Sequence, residues 1–423
     1  MNKLNKNRLV HELRFKNDDG TSFPDWELTK LECVAKRITT KNKDEKVTRV
    51  LTNSAVGGVL DQRDYFDKDI ATKGNLQGYY ILDKGDYVYN PRVSSTAPVG
   101  PISKNKVGKG VMSPLYTVFR FNSENNDFYE QFFKSSRWHS YLKAVSNVGA
   151  RHDRMSISTS DFVAMPLPTL AEKEKQKIAD FLISIDKLVT LQEQKLESLL
   201  AHKKGLQQQL FPDGDHDLPE LRFLEFKGHW KKKSLGDVAS FSKGKGISKS
   251  DIAIDGRLPC IRYGQLYTHY GETITRVISC TNVPSDELVL SQSNDVIIPA
   301  SGETQEDIAT ASCVKNSGIA LGGDLNIIRS SIDGVFLSYY LNGAKKSEIA
   351  RMAQGNAVVH LYANQLKVLE LYLPELREQQ KIANCLSSID EVITTQNRKL
   401  ESLKVFKKGL VEGVFPFING VVI

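Results

Sequence analysis

The chain has 423 residues, of which 40% are hydrophobic and 25% are charged, and this composition excludes intrinsic disorder and fibrous structure. Its length exceeds that of one ordinary domain and predicts two or three. No stretch reaches the roughly 18 uncharged apolar residues of a membrane span, so we expect a soluble protein of the cytoplasm.

Charge and cysteine content narrow the class of protein further. The formal net charge is +7, and residues 1–212 hold 33 Lys and Arg against 25 Asp and Glu, whereas residues 213–423 hold 24 against 25. A basic first half is a weak indication of an anionic partner. The five cysteines are widely separated and form no Cys-x-x-Cys pair, which argues against a disulfide scaffold or a zinc ribbon.

An internal repeat divides the chain into parts. The segment 176–212 matches 380–416 at a constant offset of 204, with 21 of 37 positions identical. At the same offset Trp26 matches Trp230, and Leu167-Pro168 matches Leu373-Pro374 at offset 206, while the middles (36–160 and 240–365) diverge. We predict a first variable domain (1–168), a first helix (169–212), a second variable domain (213–374), a second helix (375–416) and a tail (417–423).

The first variable domain alternates short β-rich runs with turns and has a helical stretch near 128–145, so we expect a mixed α+β fold. Its loops carry basic residues suited to phosphate contacts and Arg or Asn residues suited to bidentate base contacts. The alternative is that these basic residues only form a solvent-exposed charged surface and do not bind DNA. The candidate DNA-binding residues here are Lys41, Lys43, Arg49, Arg63, Asn90, Arg92, Arg151 and Arg154.

The first repeated segment predicts a long amphipathic helix with a heptad seam. The helix is expected to end at Phe211-Pro212, because proline cannot continue it. Gln192 and Lys203 interrupt the seam with polar side chains. The apolar seam residues are Ile178, Leu182, Ile185, Val189, Leu196 and Leu199.

The second variable domain follows the same mixed α+β pattern, with helical sequence near 334–353. Its segment 242–250 (SKGKGISKS) interleaves lysines with glycine and hydroxyl residues, which lets the backbone approach phosphates closely. Tyr267 and Tyr270 are further aromatic candidates for which buried packing is the alternative. The candidate DNA-binding residues are Lys243, Lys245, Lys249, Arg262, Tyr263, Gln265, Arg351 and Asn356.

The second repeated segment carries an equivalent seam, interrupted by Gln396 and Lys407. Two matching seams in one chain favour burial against each other, and the domain between them favours an antiparallel coiled coil, with Gln192 close to Gln396. The alternative is that each helix packs only on its own domain. The apolar seam residues are Ile382, Leu386, Ile389, Ile393, Leu400 and Leu403.

The sequence contains no motif typical of catalysis. It has no phosphate-binding loop, no methyltransferase tetrapeptide ending in paired prolines, and no His-x-x-x-His metal pair. Asp25, Glu27 and Lys30 superficially resemble a nuclease cluster, but their spacing is wrong. We therefore expect no catalytic residue and no metal or cofactor site in this chain.

The order of these parts resembles the specificity subunits of type I restriction and modification enzymes (the HsdS family), over nearly the whole chain. The resemblance rests on a Trp-x4-Leu-x-x-Val-Ala entry, from Trp26 and Trp230, and a Leu-Pro exit into a Gln-Lys-Ile-Ala…Lys-Leu-Glu…Lys-Lys-Gly-Leu…Phe-Pro helix. It implies that each variable domain is a target recognition domain for one half of a split DNA site, and that the helices set the gap between the halves.

The resemblance also implies partners. Two methyltransferase subunits would dock on the helices and methylate adenine with S-adenosylmethionine, and motor-nuclease subunits would use ATP and magnesium to translocate and cut unmodified DNA. The chain itself would be a non-catalytic, DNA-binding subunit. The alternatives are a free-standing two-site DNA-binding regulator and an enzyme with an unrecognised site.

Overall fold

The computed structural model describes residues 9, 12–65, 75–146, 153–214, 216–355 and 358–418. These fall into two compact units: the first comprises residues 1–192 and 399–423, and the second comprises residues 193–398. The division runs through both repeated helices, so that each helix begins in one unit and ends in the other. The described residues include no helix long and apolar enough to cross a membrane.

The first unit contains ten strands and five short helices among its described residues, and it holds the start of the first long helix. The strands are β1 (Glu27–Lys30), β2 (Ala35–Ile38), β3 (Val50–Ser54), β4 (Gly58–Asp61), β5 (Tyr80–Leu82), β6 (Tyr87–Tyr89), β7 (Ile102–Lys104), β8 (Gly110–Met112), β9 (Thr117–Phe121) and β10 (Pro166–Thr169). The helices are α1 (Leu31–Val34), α2 (Gln62–Tyr65), α3 (Asp127–Phe133), α4 (His139–Val145), α5 (Thr159–Val163) and α6 (Glu172–Gln209).

The second unit repeats this order with a few additions. Its strands are β11 (Lys231–Ser234), β12 (Ala239–Lys243), β13 (Leu258–Ile261), β14 (Thr273–Ile274), β15 (Ser279–Thr281), β16 (Val289–Leu290), β17 (Asp295–Pro299), β18 (Ser301–Gly302), β19 (Ser312–Val314), β20 (Ala320–Leu321), β21 (Leu325–Ser330), β22 (Val359–His360) and β23 (Glu370–Leu373). Its helices are α7 (Leu235–Val238), α8 (Gly264–Thr268), α9 (Gln305–Ile308), α10 (Gly334–Asn342), α11 (Lys346–Met352), α12 (Ala363–Lys367) and α13 (Leu376–Val414).

The sheet topologies of the two units correspond. The first unit has sheets ordered β2-β9-β6-β7 and β4-β3-β8-β5, and the second has β12-β21-β17-β19-β14 and β15-β13-β20-β16. The parallel pair β3 and β8 corresponds to the parallel pair β13 and β20, and the antiparallel pair β1 and β10 corresponds to β11 and β23. The variable middles therefore share one fold although their sequences diverge, and each is mixed α and β as predicted.

A buried aspartate and an arginine tie the central strands together in both units. Asp86 is 1% exposed and its carboxylate accepts hydrogen bonds from Arg120 of β9 at 2.6 and 2.9 Å. In the second unit the carboxylate of Asp295 accepts two hydrogen bonds from the guanidinium of Arg329 in β21, each at 2.7 Å. A buried carboxylate is tolerated when a bidentate guanidinium satisfies it, which explains why both copies keep this pair.

A second repeated cluster stands where each long helix begins. Glu174 is fully buried, and its carboxylate accepts hydrogen bonds from the Arg14 guanidinium at 3.1 Å and from Trp26 Nε1 at 3.0 Å. In the second unit Glu378 accepts from Arg222 at 2.8 Å and from Trp230 Nε1 at 3.3 Å. Each cluster joins the entry segment of a domain to the helix that leaves it.

The core of the first unit contains parts of both long helices. Ile178 and Leu182 of α6 are buried in it, and so is Phe415, directly after α13. The Phe415 ring packs edge-on against Phe128 and Phe132 of α3, with centroids 5.4 Å from each. The start of α6 and the end of α13 are thus built into one core.

The second unit has the reciprocal arrangement. Phe211, after α6, stacks on Tyr340 of α10 with ring centroids 4.8 Å apart. Ile382 and Leu386 near the start of α13 are buried in the same cluster. The aromatic residue before each terminating proline therefore fills a core beside the start of the other helix.

Ion pairs show how α6 and α13 pair within each unit. In the first unit Lys407 of α13 contacts Asp186 of α6, and in the second Lys203 of α6 lies 2.7 Å from Asp390 of α13. The residues from Asp186 to Lys203 run towards the C-terminus of α6. Their partners, from Lys407 to Asp390, run towards the N-terminus of α13 and span the same number of residues. The helices therefore pair as an antiparallel coiled coil, as predicted.

Candidate nucleic-acid interface

The candidate interface of the second unit forms where strands of both sheets end. Strands β12 and β17 of one sheet and β13 and β20 of the other direct their carboxyl ends to the same side. Backbone hydrogen bonds connect the loops that follow: Gly244 N donates to Leu325 O at 2.9 Å, and Gly322 N donates to Ile261 O at 2.9 Å. We call this side the strand-end surface of the unit.

The glycines of the segment 242–250 are required by close backbone contacts at this surface. A Cβ on Gly244 would lie 1.9 Å from the carbonyl oxygen of Gly322, and Gly246 adopts a φ of +64°. The segment thereby folds against the turn at 322–324 and leaves a cleft of about 420 Å³ that Lys249, Arg262 and others line. A glycine-rich, lysine-bearing loop at a cleft is suited to binding phosphate groups.

The predicted basic residues of the second unit differ in their solvent exposure and in their position on the unit. Lys243, Lys245 and Lys249 are exposed around the strand-end surface, and Lys243 Nζ lies 3.8 Å from Asp324. Arg262 is half-buried between β13 and α8. Arg351 lies elsewhere, on α11, where it lines a separate cleft of about 1030 Å³.

Polar and aromatic candidates on and beside α8 already have partners within the fold. Gln265 accepts a hydrogen bond from Arg262 N at 2.9 Å and donates one to Ser279 Oγ at 2.6 Å, so its amide could reach a base only by giving up these partners. Tyr263 and Tyr270 pack against the hydrophobic cluster of this unit. The pKa of Tyr267 is raised, first by burial and then by neighbours that include Glu303.

The first unit has an equivalent strand-end surface after β2, β6 and β8. Lys41 and Lys43 are exposed in the loop after β2, which the buried Asn42 holds in shape by donating to Val47 O at 2.8 Å. Arg92 follows β6 and its side chain is 68% exposed. These three cations lie on loops that follow the β2 and β6 strand ends.

Other predicted residues of the first unit do not join this surface. Arg49 directly precedes β3, and its Nε atom lies 2.9 Å from the Asp61 carboxylate at the end of β4. Arg49, and Arg63 two residues after Asp61, therefore lie at the end of the sheet opposite to the strand-end surface. Asn90 is buried, and its amide donates to Asn53 O at 2.8 Å while its oxygen accepts from Arg92 N. Asn90 therefore shapes the loop beneath Arg92.

Two further candidates, Arg151 and Asn356, lie outside the described residues. Arg154 is described, and it forms an antiparallel bridge with Arg92. At offset 206, the one that aligns the Leu-Pro exits, Arg154 corresponds to His360, which sequence reasoning missed. The alignment of the two copies could have identified His360, because it places His360 opposite Arg154, which was already a candidate DNA-binding residue.

The predicted seam residues of the helices are buried or half-buried. Buried residues are Ile178, Leu182, Val189, Ile382, Leu386, Gln396 and Leu400, and half-buried residues are Ile185, Gln192, Leu196, Leu199, Ile389, Ile393 and Leu403. The proximity of Gln192 and Gln396 stays a prediction. Apolar side chains also lie outside the seam: in the first unit Leu191 is 59%, Val405 71% and Phe406 55% exposed.

Among the residues that the structure describes, no group of three or more His, Cys, Asp or Glu side chains could hold a metal ion. The five cysteines are free thiols, and burial raises the pKa of Cys260 to about 11 and that of Cys313 to about 12. A raised thiol pKa lowers the thiolate fraction, so these two cysteines are poorly suited to nucleophilic chemistry.

Comparison with known proteins places this architecture in a class. Residues 227–405 match the family model of the type I restriction modification DNA specificity domain. The putative type I restriction enzyme MjaX specificity subunit of Methanocaldococcus jannaschii is 22% identical over 420 residues, covering 96% of both chains. The MjaVIII specificity subunit of the same organism is 25% identical over 205 residues, covering 48% of this chain and 45% of that one.

Solved structures share the fold. The type I restriction-modification system S subunit from M. genitalium superposes with a TM-score of 0.55 at 14% identity, covering 96% of this chain and 99% of that chain. A chain from a type I system studied for complex assembly and conformational transition gives a TM-score of 0.56 at 16% identity, covering 92% and 97%. Residues 227–405 therefore resemble a type I restriction modification DNA specificity domain, and the whole chain is similar in sequence to type I specificity subunits and shares the fold of the solved ones.

Proposed function

We propose that this chain is the sequence-specific DNA-binding subunit of a type I restriction and modification complex, in which each unit reads one half of a bipartite target. One observation carries the proposal: both units present the same strand-end surface on the same topology, but with different side chains. A duplicated frame with different exposed chemistry is what the recognition of two different half-sites needs.

The lysines and the arginines would have separate roles. Exposed lysines in the loops of the strand-end surfaces, such as Lys41 and Lys245, would contact phosphates and position the protein on the duplex. Arginine side chains can make bidentate contacts to guanine, and these discriminate between sequences. The affinity should therefore fall steeply with salt, while the half-site sequences should depend on a few side chains only.

The paired helices would set the gap between half-sites and bind two methyltransferase subunits. The exposed apolar side chains Leu191, Val405 and Phe406 on the two helices are compatible with a docking role, because the fold leaves them available to a partner. Motor-nuclease subunits would complete the assembly. We assign S-adenosylmethionine, ATP and magnesium to these partners and no cofactor to this chain, which would be non-catalytic and cytoplasmic.

The test is co-expression of the chain with a type I methyltransferase subunit from the same genome, followed by sequencing of methylated adenines. We expect one bipartite motif that appears only when both proteins are present, and no methyl transfer by the purified chain alone. Methyl transfer without a partner would contradict the non-catalytic role. DNA binding by the chain without any effect of a methyltransferase would favour the free-standing regulator.

A further inference from the structure

A narrow two-stranded ribbon stands at the strand-end surface of the second unit. It consists of β18 and β22, which pair antiparallel with Ser301 opposite His360. Backbone bonds fasten it to this surface: Ala300 N donates to Asp324 O at 2.8 Å, and Leu361 N donates to Ala300 O at 3.0 Å. The ribbon therefore adjoins the turn that faces the lysine-bearing loop.

The side chains of this ribbon alternate between the core and solvent. Val359 and Leu361 are buried, at 4% and 0% exposure, and they anchor the segment. Val358, His360 and Tyr362 face outward; Tyr362 is 57% exposed, and its ring stacks on His360 with centroids 6.2 Å apart. Period-two alternation gives the ribbon a fixed outer face with one apolar and two polar aromatic groups.

The first unit has a ribbon in the corresponding place with different chemistry. Arg92 and Arg154 face each other in an antiparallel bridge, flanked by backbone bonds from Val93 N to Asp153 O at 3.0 Å and from Met155 N to Pro91 O at 2.9 Å. Asp153 lies 3.9 Å from the Nε atom of each arginine. Two guanidinium groups thus stand where the second unit has Ser301 and His360.

We propose that this ribbon is the base-reading element of each unit. The inference rests on the proposed function and names the side chains that would read: Arg92 and Arg154 in the first unit, and Val358, His360 and Tyr362 in the second. A two-stranded ribbon fits the major groove of B-DNA, where bidentate arginine contacts select guanine and apolar groups contact the methyl group of thymine. The two half-sites should therefore differ, and the first should contain guanine.

The position of the ribbon supports this division of labour. The glycine-rich loop with Lys245 and Lys249 lies beside the turn at 322–324, which the ribbon of the second unit adjoins, as expected if lysines contact the DNA backbone while the ribbon enters the groove. The buried anchors Val359 and Leu361 fix the direction of the outward side chains. Precise reading requires such anchoring, because a loosely held side chain does not select a base.

The experiment uses the whole methyltransferase complex and sequences its methylated sites. Arg92→Lys with Arg154→Lys keeps the charge and removes bidentate geometry, so discrimination at one or more guanines of one half-site should fall by about tenfold to a hundredfold. The other half-site, still read normally, reports that the complex has folded and assembled. His360→Ala with Tyr362→Ala should relax the other half-site alone.

Lys245→Ala with Lys249→Ala is the matched control. It should weaken binding to all sites and reduce the salt dependence without changing the motif. The proposal is overturned if the wild-type complex methylates a bipartite motif and the ribbon variants leave both halves unchanged. A wild-type complex with no bipartite motif would instead overturn the proposed function, and the ribbon's role with it.

Discussion

Glu174 and Glu378 are buried carboxylates at the starts of the two long helices, and each is satisfied by an arginine and a tryptophan from a distant segment. Replacing Glu378 with alanine would leave the Arg222 guanidinium without its acceptor. We predict that Glu378→Ala lowers the free energy of unfolding of the second unit by about 3–5 kcal/mol. Denaturant unfolding followed by hydrogen exchange in that unit measures the loss.

The exposed helix residue Glu391 provides the control, since Glu391→Ala should change stability by less than about 0.5 kcal/mol. Glu378→Gln should fall between the two, because an amide oxygen can still accept one hydrogen bond. Equal effects of Glu378→Ala and Glu391→Ala would show that the cluster does not stabilise the unit.

Asp186 links the stability of the first unit to pH. Burial raises its pKa, but Lys134 and Lys407 outweigh burial and the pKa is lowered overall. A lowered folded-state pKa contributes stability that is present above the unfolded-state pKa and is lost as the pH falls through the folded-state value. The stability difference between wild type and Asp186→Asn should therefore shrink on acidification. A difference that grew at low pH would contradict this assignment.

Residue partners were only partly accessible to sequence reasoning. Asp86 and Asp295 stand in similar short stretches of sequence, and so do Arg120 and Arg329, but each aspartate pairs with an arginine 34 residues away, which the sequence does not indicate. Glu174 is 160 residues from Arg14, so no local pattern could join them. The amide of Asn90 could form hydrogen bonds with a DNA base or with the backbone of its own loop, and the sequence does not distinguish these two roles.

At the scale of elements, the seam predicted the long helices and their pairing because the heptad period is a local property of the sequence. The expected ends at Phe-Pro lie close to the observed ends, Gln209 and Val414. The polar seam residues Lys203 and Lys407 were visible only as interruptions. The structure gives them partners in the other helix.

Lys203 tests whether such partners matter. Its side chain is 16% exposed and pairs with Asp390 and with Glu272 at 3.0 Å. Burial lowers the pKa of Lys203, but both carboxylates oppose this and the net change is upward. In a double-mutant cycle of Lys203→Met and Asp390→Asn, we predict a coupling energy of about 0.5–3 kcal/mol, measured by chemical unfolding. Additive effects of the two changes would mean that the pair does not stabilise the register.

The helices also provide a test of spacing. Inserting one heptad after Leu196 and one after Leu400 preserves the seam and lengthens each helix by about 10.5 Å. The gap between methylated half-sites should grow by up to about three base pairs, and binding should weaken because three pairs also rotate the second half-site by about 100°. Methylome sequencing reads the gap directly. An assembled, active complex with the original gap would contradict the spacer role.

At the scale of the molecule, the repeat predicted the two-part organisation, whereas the sheets inside each unit were predicted only as mixed α and β. Their strands are two to six residues long, and pairs such as β3 with β8 join segments far apart in the chain, which no periodicity encodes. The domain boundaries predicted from the sequence, at the ends of the helices, remain a prediction. The two compact units of the structure are divided differently, within the helices. That division follows because each helix end fills the core of the other unit.

The central claim is that the two variable segments read the two half-sites independently. Replacing residues 36–160 with the equivalent segment of a related specificity subunit, and sequencing the sites methylated by the resulting complex, tests it most directly. The account predicts that one half of the bipartite motif changes while the other half and the gap are retained. A complex that methylates DNA with both halves changed, or with neither changed, would contradict it.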